Sequence, residues 1–340
     1  GGKMTLWLVR AGKYGEREQF AIEKNLAVIG WEEIPDLSKL EDRSELTDLL
    51  AYTYPDEKKR ALSNWEAQLW AFSKRMQVGD LVAMPLKHRA IIKFGYVAGD
   101  YKYEPANPIG FKHTRPVHWK FEIPRNQIDQ DLLYALGAAN TVCSISKNDA
   151  ENRFKALLSG KPTAAVKPVP DSDSEAEESV NLEQLARDQI TDTITQAFKG
   201  HKLAHLTAAV LQAQGYKLRI SPEGPDGGVD IIAGKGPLGF ESPRLVVQVK
   251  SGDSPVNVKT FRELNGVMDA FSAESGLIVA WGGFQGQVEK EAARQYFKIR
   301  LWDANDLVQM IQENYDNLPE DIQTELPLKR IWILMPQAEE

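Results

Sequence analysis

The first part of the chain carries short apolar runs broken by turn residues. Thr5-Leu-Trp-Leu-Val-Arg10, Leu26–Trp31, Leu81–Met84, Ile91–Val97 and Pro116–Phe121 read as strands. Between them Leu62, Trp65, Leu69, Phe72 and Met76 recur at helical spacing over residues 61–77, and Gly79-Asp80 ends the run. Short strands with one or two helices predict a small, curved α+β barrel.

The period changes beyond residue 180. Helical patterns at Leu182–Phe198 and Leu203–Gln214 precede strands at Tyr216–Ile220, Val229–Ala233 and Leu245–Lys250. Helix Val258–Phe271, strand Gly276–Trp281, helix Gln287–Phe297, strand Ile299–Trp302 and helix Asn305–Tyr315 follow. Gly215 is placed to stop one helix and Asp303 to cap another. This alternation predicts an α/β sheet with helices on both faces.

Between the two parts, residues 159–179 contain prolines and then an acidic Ser/Asp/Glu run, which cannot build a core. The sequence therefore predicts an N-terminal domain over 1–158, a linker over 159–179 and a second domain over 180–340. Lys plus Arg against Asp plus Glu is 23 to 21, 2 to 5 and 16 to 22 over these segments, so the net charge of -7 sits in the linker and the C-terminal part. Bulk charge disfavours nucleic acid, but a local basic groove suffices to hold phosphate. The single cysteine, Cys143, rules out an internal disulfide and a cysteine zinc site. No apolar run reaches membrane-spanning length, which makes the cytoplasm the expected location. No phosphate-binding Gly-x-x-x-x-Gly-Lys-Ser/Thr loop is present.

The most informative chemistry lies in Pro225-Asp-Gly-Gly-Val-Asp-Ile-Ile232 and Arg244-Leu-Val-Val-Gln-Val-Lys250. Alternation along a strand sends Gln248 and Lys250 to one face, and Leu245, Val247 and Val249 to the other. Asp230 lies in an otherwise apolar strand, where an acid is costly unless it binds a cation or a partner. A plain Asp230–Lys250 ion pair is one reading. Gln248 on the same face and the glycine-rich approach favour a metal-bearing hydrolytic site. Asp226 is expected to fix its own turn, and Glu223 and Glu241 to be solvated.

These motifs, with Gly215-Tyr216, Arg262-Glu-Leu-Asn-Gly266 and Gly276-Leu-Ile-Val279, resemble the Mrr-type branch of the PD-(D/E)xK nucleases from about Leu203 to Leu307. The resemblance implies Mg²⁺, or Mn²⁺ in its place, held by Asp230, the Gln248 side chain and the Val249 carbonyl. It gives Lys250 the attacking water and the charge of the transition state. Many relatives carry a helical glutamate where this chain has Ala204, so a third acid is missing or comes from elsewhere; Glu183, Asp188 and Asp192 are the candidates, with His205 as a possible assistant.

Five of the eight tryptophans lie in the first 120 residues. Core packing explains most such rings. Stacking on a flipped or single-stranded base needs an aromatic cage beside basic residues, and residues 87–115 supply the latter. Thr5–Arg10, Val78-Gly-Asp-Leu-Val82 and Gly95-Tyr-Val97 resemble EVE-type domains of the PUA-like superfamily, over residues 4–125. That likeness implies a reader of modified bases with a pocket among Trp7, Trp31, Trp70, Trp119, Tyr101 and Tyr103. Arg89, Lys93, Arg115, Lys259 and Arg262 are the expected phosphate contacts, although solvation is the simpler role for Lys259 and Arg262.

Together these readings predict a Mg²⁺-dependent endonuclease that cuts double-stranded DNA carrying a modified base, as a homodimer at least when cutting. A non-cleaving sensor with a decayed nuclease fold, or a nuclease acting on RNA, are the alternatives.

Overall fold

The computed structural model describes residues 4–161, 181–222 and 228–334. They divide into two compact units, one running to Leu185 and the other covering Ala186–Ile333. Residues 162–179 of the expected linker, with Glu223, Asp226 and Gly227, lie outside the described residues. No helix among the described residues is long and apolar enough to cross a membrane.

The first unit is built on a seven-stranded sheet. Its strands are β1 (Leu6–Val9), β2 (Leu26–Ile29), β3 (Leu81–Pro85), β4 (Ile91–Val97), β5 (Lys102–Tyr103), β6 (His113–Pro124) and β7 (Val142–Ser144). The order is β2-β6-β4-β3-β1-β7, with β5 added to β6, and only β1 and β3 run parallel. The expected barrel is thus an open, curved sheet with β2 and β7 at its edges. Curvature has two identifiable sources. Strand β6 pairs with β2 through residues 113–116 and with β4 through residues 117–124, so it turns a corner between partners. The β4–β6 register also slips between Phe94 and Gly95, where a Cβ on Gly95 would lie 2.5 Å from the His118 carbonyl. Only glycine permits that bulge.

Helices α1 (Glu18–Lys24), α2 (Arg43–Thr53), α3 (Lys59–Trp70), α4 (Gln130–Ala135) and α5 (Ala150–Leu158) cover this sheet. The sequence pattern predicts only one or two. The others are short, and α2 buries just Leu46 and Leu50, too few positions to register as a stripe. A single π turn over Ala71–Arg75 continues α3. One core gathers Trp7, Ile29, Leu69 and Phe72 against α2 and α3, while another packs Leu8, Phe94 and Phe154 on the opposite face. Cys143 is a partly buried neighbour of the latter, as expected of a small hydrophobe.

The second unit matches its sequence pattern closely. Helices α6 (Leu182–Ala197) and α7 (His201–Ala213) precede β8 (Lys217–Ile220), β9 (Ile231–Lys235) and β10 (Glu241–Lys250). There follow α8 (Val258–Met268), β11 (Ser275–Ala280), α9 (Gly286–Arg294), β12 (Ile299–Trp302), α10 (Ala304–Asn314) and a short α11 (Glu320–Glu325). The sheet order is β12-β11-β10-β9-β8, parallel from β10 to β12 and antiparallel at β9 and β8. Asp303 caps α10 through a reciprocal capping box with Asp306, and Gly215 ends α7 with φ +87°. Both faces of β10 are buried. Val246 joins Phe261, Leu264 and Val288 of α8 and α9, and Val247 is buried on the other side.

Candidate active site and an aromatic cavity

The β9–β10 ladder fixes the first half of the candidate active site. Ile231 pairs with Val247 as the last rung of the ladder, and Asp230 stands one residue before it. The Asp230 amide donates to the Val247 carbonyl at 2.8 Å. Its carboxylate Oδ2 accepts from the Val249 amide at 2.7 Å. The acid therefore replaces the strand partner that Val249 lacks once the β9 ladder has ended at Val247.

Gln248 is only 4% exposed, and its Oε1 is buried without a hydrogen-bond partner among the described residues. A Cβ at Gly228, which has φ +83°, would lie 3.2 Å from Gln248 Nε2, so a side chain there would crowd the amide. Lys250 stands two residues on, at the exposed end of the strand, with no ion-pair partner among the described residues. Its carbonyl accepts from the Trp281 amide at 2.8 Å. The Trp281 indole in turn donates to Thr195 Oγ1 of α6 at 2.9 Å. Arg187 of the same helix donates to Asn305 at 3.1 Å, so α6 lies across the C-terminal ends of β12 and β11.

Asp230, Gln248 and the Val249 carbonyl are all oxygen donors, and one is a buried oxygen with nothing to bind. That set fits a hard divalent cation. The third acid does not come from where relatives carry it. Ala204 is buried in α7. Asp188 is buried in α6, and Asp192 accepts from Gln196 at 2.9 Å. His205 is exposed and packs edge-on against His201 at 4.8 Å. No group of three or more His, Cys, Asp or Glu gathers into a metal site among the described residues.

Several expected nucleic-acid contacts have other work. Arg115 is 2% exposed, and its guanidinium donates to the carbonyls of Phe72, Ser73 and Gly99. It satisfies the carbonyls of the π turn, and burial lowers its pKa; it cannot meet a phosphate. Arg89 and Lys93 share the Glu122 carboxylate at 3.0 and 2.8 Å. Arg262 pairs with Glu291 through two bonds, and Lys259 lies 3.8 Å from Glu263. For Arg89, Lys93, Arg262 and Lys259 an adjacent acid, invisible to a count of basic residues, takes the charge.

The aromatic residues separate in the same way. The Trp7 indole donates to Asp80 at 2.8 Å, and that of Trp119 to the carbonyls of Ala21 and Leu26. Trp70 and Tyr103 pack as partly buried neighbours of the core. Tyr101 is buried, with its hydroxyl 2.7 Å from His113 Nδ1. His113 Nε2 lies 3.2 and 3.1 Å from the carbonyls of Trp31 and Ile34. Nε2 must therefore donate and Nδ1 accept, and burial pushes the His113 pKa down.

That clamp holds Trp31 at φ +60°, a left-handed backbone that a bulky residue rarely adopts. Trp31 lines a cavity of 450 Å³ with Trp65, Tyr54, Glu33, Glu57 and Arg17. Tyr54 meets Trp65 edge-on at 5.0 Å and donates to Glu33 at 2.9 Å. Burial and the Glu33 carboxylate both raise the Tyr54 pKa. The indole N–H groups of Trp31 and Trp65 are buried without acceptors among the described residues. Trp65 and Tyr54 were not legible as site residues, because Trp65 sits at a core position of the α3 stripe.

Comparison with known proteins gives two family matches. A model described as restriction endonuclease, the Mrr catalytic domain, covers residues 195–311, and a domain of unknown function covers residues 7–143. No curated protein matches the chain. Among solved structures, a protein of unknown function, AF1548, is similar over 30% of this chain and 56% of its own length, with 14% identity and a TM-score of 0.25. The DNA modification-dependent restriction endonuclease AspBHI is similar over 89% of this chain and 79% of its own, at 15% identity and a TM-score of 0.34. MspJI restriction endonuclease in complex with a 27-mer oligonucleotide is similar over 95% and 80%, at 13% identity and a TM-score of 0.32. The restriction endonuclease match contains all five strands of the C-terminal sheet, together with Asp230, Gln248 and Lys250. Residues 195–311 belong to the Mrr-type restriction endonuclease family.

Proposed function

We propose that this chain is a Mg²⁺-dependent endonuclease, accepting Mn²⁺, that cuts double-stranded DNA marked by a modified base. Residues 1–158 would read the base as a PUA/EVE-like domain, residues 180–340 would cut, and residues 159–179 would tether the two. The observation that carries this reading is a buried Gln248 oxygen without a partner among the described residues, next to Val249, whose amide holds Asp230, inside a restriction endonuclease domain.

When bound, the metal supplies Lewis-acid activation and neutralises charge on the scissile phosphate. The chain's own residues do the rest. Asp230 keeps one carboxylate oxygen on the Val249 amide and has its other oxygen for the cation. Gln248 adds a neutral oxygen, which lowers the charge of the site relative to a second carboxylate. Lys250 orients the attacking water and offsets the negative charge growing on the phosphate. Cutting both strands requires a second catalytic domain, which a second copy would provide.

The test is digestion of DNA carrying 5-methylcytosine, 5-hydroxymethylcytosine, N6-methyladenine or no modification, with Mg²⁺ or with EDTA. Cleavage of a modified substrate only, dependent on Mg²⁺ and lost in Asp230→Ala, is the expected result. Binding without cleavage under every condition would favour a sensor instead, the reading that the buried Ala204 supports.

A further inference from the structure

The cavity at Trp31, Tyr54 and Trp65 has a chemical bias that the base-reading role does not by itself require. Three carboxylates border it. Glu32 is neutralised by Lys112 and by the Gly110 amide, which hold its pKa low. Glu33 and Glu57 have no cationic partner among the described residues. The donors nearby are already committed. The Tyr54 hydroxyl is given to Glu33, and Arg17 donates to the Gly110 carbonyl at 2.7 Å and pairs with Glu16. The walls are aromatic; the unpartnered indole N–H groups of Trp31 and Trp65 are themselves buried, so the exposed polar groups still able to bind are acceptors.

A phosphate or a carbonyl-rich edge entering this space would face carboxylates and no exposed donor left uncommitted. A flat ring bearing an amino group meets aromatic walls that it can stack on and acceptors for its N–H bonds. A cavity of 450 Å³ is within the range of pre-formed small-ligand sites. The left-handed Trp31 and the two unpartnered indole N–H groups are local costs of the kind retained at binding sites.

We propose that this cavity receives an extrahelical base with an amino edge, of cytosine or adenine type, and that Glu33 and Glu57 accept from that edge and exclude thymine-type bases. The proposal rests on the base-reading role of the N-terminal unit and specifies its ligand. N4- and N6-methylated amines keep one N–H and remain acceptable, as do 5-substituted cytosines.

The experiment measures binding of the full chain, in EDTA to prevent cutting, to matched labelled duplexes. These carry 5-hydroxymethylcytosine, N6-methyladenine, 5-hydroxymethyluracil or no modification. An amino-bearing modified base is expected to bind roughly tenfold or more tightly than 5-hydroxymethyluracil, the discrimination that one good base contact supplies. The paired change Glu33→Gln and Glu57→Gln should abolish that ratio, because a side-chain amide also donates to a carbonyl, while circular dichroism and the thermal midpoint stay unchanged. Tyr54→Phe, which releases Glu33, should keep the preference or sharpen it. Equal affinity of the wild type for 5-hydroxymethylcytosine and 5-hydroxymethyluracil overturns the amino-edge assignment and leaves base reading intact. Equal affinity for all four duplexes overturns both.

Discussion

Gln248→Leu should make the protein more stable and leave it unable to cut. The wild-type side chain is 4% exposed, with a carbonyl oxygen that no donor among the described residues reaches. Leaving a buried acceptor unsatisfied costs about 1–3 kcal/mol. Leucine has a similar volume and no polar atom, and its neighbours on that face include Val246 and Ile278. The substitution should therefore stabilise the C-terminal domain by about 1–3 kcal/mol. For a domain of this size that is a rise in thermal midpoint of roughly 2–10 °C.

Calorimetry in EDTA reads this directly, and the same samples in Mg²⁺ give the second half of the test. A metal at ten times its Kd stabilises the wild type by about 1.4 kcal/mol, and a variant that has lost a ligand should show less of that gain. Cleavage should fall at least about 100-fold, the loss that follows removal of a charge-stabilising group at such a site. Destabilisation by more than about 1 kcal/mol would refute the reasoning, since the amide would then be making a hydrogen bond that holds the fold. Wild-type cleavage by a stabilised variant would refute it equally, by removing Gln248 from the chemistry.

Other outcomes follow from the same geometry. Asp230→Asn keeps an oxygen for the Val249 amide, so its thermal midpoint should stay within a few degrees of wild type while cleavage drops roughly 100-fold or more; Lys250→Ala, at an exposed strand end, should lose cleavage to a similar extent and spare DNA binding in a gel-shift assay. His113 is held neutral, with a depressed folded pKa, so the unfolded chain takes up a proton first as pH falls. The N-terminal unit should be at full stability above about pH 6.5 and lose it as pH falls from there through the folded pKa, with His113→Gln flattening the slope in urea titrations. Asp306 behaves oppositely. Burial and the neighbouring Asp303 raise it to about 7, so its contribution is present below the ordinary carboxylate range and lost as pH rises toward 7. Asp306→Asn, which keeps the capping oxygen, should stabilise the C-terminal domain at pH 8 by an amount on the order of 1 kcal/mol.

The C-terminal sheet was legible because its elements are long and its periods clean. Strands β9 to β12 and helices α8 to α10 were all expected near their observed places, and Asp303 was expected to cap α10. The N-terminal unit was less so. Its strands were foreseen, but α2 buries two residues and α1 is seven residues long, and neither leaves a periodic trace. Curvature of the sheet is decided by where β6 changes partners, a long-range matter that local pattern does not contain.

The two sites differ in legibility for one reason. Gln248 and Lys250 lie two apart on β10, where alternation dictates that they share a face, and Asp230 enters from the residue just before the paired strand β9. The aromatic cavity is assembled from residues 17, 31–33, 54–57 and 65, which no period relates. Its key conformation, Trp31 at φ +60°, is imposed by His113 from 82 residues away along the chain. Residue type alone favoured Trp7, Trp119 and Tyr101, which prove to be hydrogen-bonded into the core. What distinguishes a reading ring from a packing ring is whether its polar groups and backbone are at rest. Trp7 and Trp119 have acceptors for their indoles, whereas Trp31 and Trp65 have none and flank empty volume. The same criterion selects Gln248 in the other unit, so in both places the unsatisfied group, rather than the residue type, singles out the candidate site.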